Sequence, residues 1–181
     1  MSSGSSGFSR PGSPPPPTWA SEHTEITVEF FCRAFRQFVR VLLDWEQVER
    51  GPFAVLFALA QDRTSFDHWY SPWYVDKAGK ETSYENPAGT SLSVARAASG
   101  TIRFSQQREH LIAELTREYR SISDPLQIVV ALYALPNDRF LVLDGNHRLI
   151  AATRAECEVT VLTFVLYGPI DPSILPDLAH W

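Results

Sequence analysis

Cysteine is scarce: Cys32 and Cys157 are the only two in 181 residues, far apart, with no C-x-x-C and no Cys/His ligand spacing. Nothing therefore points to a disulfide framework or a zinc site, and a reducing cytoplasm suits the chain. Long hydrophobic runs are missing as well. No apolar stretch approaches the ~20 residues that span a bilayer, and the N-terminus lacks the basic start and apolar centre of a signal peptide. The expectation is a cytoplasmic protein with no membrane partner. Positive charge is not in excess: 16 basic against 21 acidic residues give a net charge of −5. No global field draws such a chain onto nucleic acid, which is not expected as a partner. No internal repeat is visible.

What remains is ordinary globular material. Apolar residues make up 44% and charged residues 20% of the chain, enough for one domain with a real core. The opening MSSGSSGFSRPGSPPPP cannot bury apolar surface, so residues 1–20 read as a disordered tail or linker outside the fold. From Thr27 to Val48, Phe30, Phe31, Ala34, Phe35, Phe38, Val41, Leu42 and Trp45 recur at helical spacing, with Arg33, Arg36 and Arg40 on another face. Gly51-Pro52 ends that helix and would open a second over the apolar run Phe53 to Ala60. A hairpin is expected around Ala78-Gly79.

Ser105 to Tyr119 shows helical spacing again, with Ser105 as N-cap. Beyond Asp124-Pro125, Leu126 to Leu135 and Phe140 to Leu143 read as strands joined by Pro136-Asn137-Asp138. Leu149 to Ala155 reads as a helix and Val159 to Leu166 as a final buried strand. The order is helix, strand, strand, helix, strand, an α/β or α+β arrangement.

The chemistry concentrates at Asp144-Gly145-Asn146-His147-Arg148, where a strand hands over to a helix. Helix N-termini carry free N–H groups and partial positive charge, so the turn reads as a phosphate site. Gly145 can take positive φ and let a ligand approach the backbone. Asn146 can cap the helix, and Asp144 can accept hydrogen bonds or hold a metal. His147 can donate to oxygen or move a proton near neutral pH, and Arg148 offers a planar fork matched to phosphate.

The segment Ser123 to Val165, SDPLQIVVALYALPNDRFLVLDGNHRLIAATRAECEVTVLTFV, resembles the nucleotide-binding core of the ParB/sulfiredoxin superfamily. The carriers are Pro125, the strand Phe140 to Leu143, the Gly145-Asn146-His147-Arg148 turn, Ala151-Ala152, and the strand Val159 to Val165. Ser105 to Tyr119 fits the helix that precedes this core. The resemblance implies a mixed-sheet core over residues 101–181, with residues 21–100 as a helical, aromatic-rich extension packed on it. Two departures narrow what it implies. Asn146 stands where sulfiredoxins carry a nucleophilic Cys, and too little chain follows Leu166 for the helix-turn-helix of partition proteins. What is left is nucleotide binding, most concretely a kinase acting on a hydroxyl of a serine-like metabolite. The resemblance implies ATP or ADP, or CTP, with Mg²⁺.

In that reading Gly145, Asn146, His147 and Arg148 bind the nucleotide, and Asp144, His147 and Glu109 are the catalytic candidates, with Glu114 and Arg108 as lesser ones. No metal-ligand set of the protein's own is proposed. Trp69, Trp73 and Tyr74 could wall a substrate pocket, or pack the N-terminal segment onto the sheet. Alternatives are a nucleotide- or anion-sensing module without turnover, a nuclease, or a biosynthetic enzyme that reuses the fold for other chemistry.

Overall fold

The computed structural model describes residues 14–61 and 63–181. In chain order the elements are β1 (Glu22–Ile26), α1 (Val28–Phe35), α2 (Trp45–Arg50), β2 (Ala54–Ala60), β3 (Trp69–Val75), β4 (Glu81–Thr82) and β5 (Thr90–Ser93). There follow α3 (Val94–Ala98), α4 (Gln106–Arg120), β6 (Leu126–Leu135), β7 (Arg139–Asp144), α5 (Asn146–Ala155) and β8 (Val159–Tyr167), with 3-10 turns at Arg63–His68 and Pro176–His180. The strands form one mixed sheet in the order β1-β2-β8-β6-β7-β3-β4, with β5 also on β3. The β6–β8 and β7–β3 pairs are parallel and the others antiparallel. This is an α+β protein, as the sequence implies.

The central strands are apolar on both faces because both faces are covered. Ile128, Val130 and Leu132 of β6 point into the layer holding α3, α4 and α5, while Ala131, Tyr133 and Leu135 point into the layer built from α1, α2 and the C-terminal turn. β7 alternates likewise, Phe140 and Val142 against Leu141 and Leu143. Ser105 caps α4 by accepting from the Arg108 N–H, as its position predicts. At the sheet edge β1 is mostly exposed and carries Glu22, His23 and Glu25, which discourages further strand pairing.

Before residue 101 the structure departs from the sequence expectation. The helix expected over Thr27 to Val48 is two short ones. Asp44 accepts from the Glu46 and Gln47 N–H groups at 3.0 Å each and starts α2 independently. Phe53 to Ala60 is not a helix: it supplies β2, seated between β1 and β8, where an unbroken apolar run suits a buried strand as well as a buried helix. Residues 21–100 therefore contribute β1 to β5 to the same sheet rather than a helical extension laid over it. The expected tail boundary at residue 20 also moves, although residues 1–13 lie outside the described residues. Trp19 packs edge-on against Trp69 and Phe140, and Thr18 hydrogen-bonds Asp138. Neither Cys32, buried, nor Cys157 is in a disulfide. Among the described residues no helix is long and apolar enough to cross a membrane.

The burial of β6 from Val130 to Tyr133 sets a stability expectation. Leu132→Ala, at a fully buried position, should cost about 2–5 kcal/mol in denaturant unfolding. Leu42→Ala, at a site 65% exposed, should stay within about 0.5 kcal/mol of the parent.

Candidate functional site

The C-terminal end of β7 runs into Gly145, whose φ of 102° is in the left-handed region. A Cβ there would also lie 3.1 Å from Val130 Cγ2 and 3.3 Å from the Val129 carbonyl, so the conformation calls for glycine and the tight space adds to that preference. The turn starts α5 with no side-chain cap, and the first bond into the helix is the Leu149 N–H to the Gly145 carbonyl at 2.9 Å. The N–H groups of Asn146, His147 and Arg148 therefore have no partner within the helix. Asn146 is not the cap expected of it. It is the first helical residue, and its Nδ2 donates back to the Val142 carbonyl at 3.1 Å. Its Oδ1 is buried and has no partner.

This helix start opens into a cleft of about 350 Å³ at the end of the sheet, where the two helical layers meet. Its lining includes Trp73, Arg108, Asp144, Asn146, His147 and Asp177. Arg108 comes from the first turn of α4. Glu81 of β4 holds it there, accepting from the Ser105 N–H with Oε2 at 3.0 Å and pairing the Arg108 guanidinium through Oε1. The guanidinium lies 4.1 Å from the centre of the Trp73 ring, and the His147 ring tilts onto the same indole at 4.9 Å. Burial, and then the neighbouring Arg108 charge, pull the His147 pKa below its ordinary value, with Asp144 acting in the opposite sense. Around neutral pH His147 is thus a neutral ring with one donor and one acceptor nitrogen.

Asp144 accepts from Arg148 Nη2 at 2.9 Å. The pair turns Arg148 away from the cleft into an adjoining groove, whose walls include Phe30, Phe38 and Phe164; Asp144 and Phe38 border both spaces. Phe38, Arg40 and Leu42, exposed on the connection between α1 and α2, form the cleft's outer rim. Arg40 is the one member of the Arg33, Arg36 and Arg40 stripe to line the cleft, while Arg36 pairs with Glu49.

Other expected site residues sit elsewhere. Glu109 is not in the cleft: successive helical residues turn by about 100°, so when Arg108 faces the cleft Glu109 faces α5, where it binds Arg154 at 2.5 Å. Glu114 lies on the surface beside His110. Trp69 is fully buried against Trp19 and Phe66 and cannot wall a substrate pocket. Tyr74 points to the opposite face of β3 from Trp69 and Trp73, as strand alternation requires. Its hydroxyl donates to Asp177 Oδ1 at 2.8 Å. Of the three aromatics only Trp73 lines the cleft.

Asp177 is the residue that sequence reasoning missed. It lies in the C-terminal 3-10 turn, 5% exposed yet on the cleft wall, and burial pushes its carboxyl pKa up against the opposing Tyr74 hydrogen bond. The segment around it is pinned by His180, whose Nε2 donates to the Tyr84 carbonyl at 2.6 Å, and by Trp181 against Tyr70.

Among the described residues no group of three His, Cys, Asp or Glu could hold a metal ion alone. A phosphate-borne Mg²⁺ needs only one or two protein carboxylates, and Asp144 beside the helix start fits that part. The cleft volume falls in the usual range for small-ligand sites.

Gly145→Ala should destabilise the protein by about 2–4 kcal/mol, from a left-handed residue and a crowded Cβ together, in denaturant unfolding. The His147 ring should titrate below 6.5 by NMR. Because the fold favours its neutral form, stability is held above pH 6.5 and falls as pH drops from there toward the folded pKa, and His147→Gln should flatten that fall. No protein-family model, curated protein or solved structure matches the chain.

Proposed function

We propose that the protein is a nucleotide-dependent phosphotransferase that holds the donor's phosphates at the start of α5 and transfers to a hydroxyl of a small, serine-like molecule. The observation that carries this is the uncapped helix N-terminus, delivered by Gly145 into a cleft that also holds a guanidinium and a neutral imidazole. Free N–H groups, a helix dipole and a cation converging on one space favour a multiply charged anion. The order α4, β6, β7, α5, β8 is also the one implied by the resemblance to the ParB/sulfiredoxin core.

The roles follow from placement. The Asn146, His147 and Arg148 N–H groups cradle phosphate oxygens, and Arg108 supplies the charge. His147 adds one donor without bringing a second cation. Trp73 fixes both Arg108 and His147 and leaves them little freedom to lose on binding. Asp144 anchors Arg148 and is the carboxylate suited to a phosphate-borne Mg²⁺. A nucleoside triphosphate supplies the transferable phosphoryl group. Such transfer needs mainly positioning and charge stabilisation, which this set of groups can provide.

Of Arg108 and Arg148 only Arg108 lines the cleft, so their variants should separate. Mg-ATP, Mg-ADP or Mg-CTP should raise the melting temperature of the purified chain. Arg108→Gln should weaken that nucleotide's Kd roughly 10- to 100-fold, the worth of about 1.5–3 kcal/mol for a charge-assisted hydrogen bond. Arg148→Gln should change it less than about 10-fold, since that side chain lines the adjoining groove and not the cleft. Absence of stabilisation by all three nucleotides overturns the proposal.

A further inference from the structure

Among the described residues six polar or charged side chains are buried: Ser65, Ser71, Thr116, Asn146, Thr163 and Asp177. Ser71, Thr116 and Thr163 spend their hydroxyls on backbone carbonyls within the fold. Asn146 and Asp177 differ from these, and both line the cleft at the start of α5. Asn146 has a buried Oδ1 with no donor to satisfy it. The Asp177 carboxylate accepts from the Tyr74 hydroxyl and from its own backbone N–H. A buried acceptor without a donor is costly, so Asn146 Oδ1 calls for a ligand that brings one, and the buried Asp177 carboxylate lines the same cleft beside it.

Phosphate oxygens are acceptors and cannot fill that role. We infer that Asn146 Oδ1 and Asp177 hold the hydroxyl-bearing substrate, and that Asp177 is the catalytic base that takes the hydroxyl proton. The inference rests on the phosphotransferase reading above. In the step, the hydroxyl oxygen forms a bond to the terminal phosphorus while the bond from that phosphorus to the bridging oxygen breaks. Its electron pair leaves with the nucleoside diphosphate. The hydroxyl proton passes to the Asp177 carboxylate, which returns it to water. Tyr74 is a positioning residue: it touches Asp177 rather than substrate, fixes the carboxylate's orientation and favours its charged form.

Burial raises the basicity of Asp177, which suits a carboxylate asked to accept a proton near neutral pH. The groups that face it are Tyr74 from β3 and His180 from its own turn, with Arg40, Arg108, Asp144 and His147 lining the same cleft. Turnover should therefore rise with pH through the Asp177 pKa. Removing the Tyr74 hydroxyl withdraws a bond that favours the carboxylate, and should move that rise upward.

The test uses the full chain and follows the Asp177 carboxyl by ¹³C NMR across pH, alongside Mg-ATP stabilisation and ADP formation with L-serine as the hydroxyl probe. The expected result is an Asp177 midpoint above the ordinary carboxylate value, matched by the acid limb of turnover. Tyr74→Phe should shift both upward together. Asp177→Asn should keep nucleotide stabilisation and lose about 100-fold or more in turnover, as for removal of a general base. If Asp177→Asn turns over like the parent, or if Tyr74→Phe moves the NMR midpoint without moving the limb, the base assignment is overturned while the phosphotransferase reading stands. Stabilisation without ADP formation also overturns the assignment and leaves a binding module. No stabilisation at all removes both readings.

Discussion

The structure turns on one backbone conformation, the left-handed Gly145 between β7 and α5. That residue swings the chain from the sheet into a helix whose first N–H groups face outward, and it does so directly over Val130, where a side chain would be crowded. The strand beneath cannot retreat. β6 is hydrogen-bonded to β7 and β8, and Val130 is fully buried in the layer under α3, α4 and α5, so the crowding at Gly145 is passed into that core.

Around that fixed point the cleft is assembled from segments distant in sequence. β4 holds the start of α4 through Glu81, α4 brings Arg108, β3 brings Trp73, and the C-terminal turn brings Asp177 tied to Tyr74. Charge is spread rather than concentrated. Arg108 is balanced by Glu81 and Arg148 by Asp144, while burial pushes Asp177 toward its protonated form and His147 toward its neutral one. A cleft poised in this way avoids a large unpaired charge when empty and still presents donors on one wall and acceptors on another.

Local patterns made much of the second half of the chain legible. The Ser105 cap, the 3.6-residue spacing of α4, the hairpin of β6 and β7, and a glycine that needs positive φ are all nearest-neighbour signals, and each appears in the structure where the sequence places it. Before residue 101 the same kind of reading failed where only tertiary context decides. The apolar run 53–60 carries no period that separates a buried helix from a strand with both neighbours in place, and only its pairing with β1 and β8 resolves it. Within the site, one-residue steps proved decisive. Glu109 and Arg108 differ by a helical turn of about 100°, and Tyr74 and Trp73 by a strand flip, so residue type alone could not say which reached the cleft. Asp177 was invisible because its segment has no periodic signature, and its importance comes from burial and from Tyr74.

The central claim is that phosphate binds at the first turn of α5. Backbone ¹⁵N–¹H spectra of the full chain, recorded during titration with Mg-ADP, test it most directly. The largest shifts should fall on the amides of Asn146, His147 and Arg148, with smaller ones at Arg108 and Trp73. Saturating shifts confined to another surface, such as the arginine-lined space at Arg117 and Arg120, or no shifts at all, would contradict it.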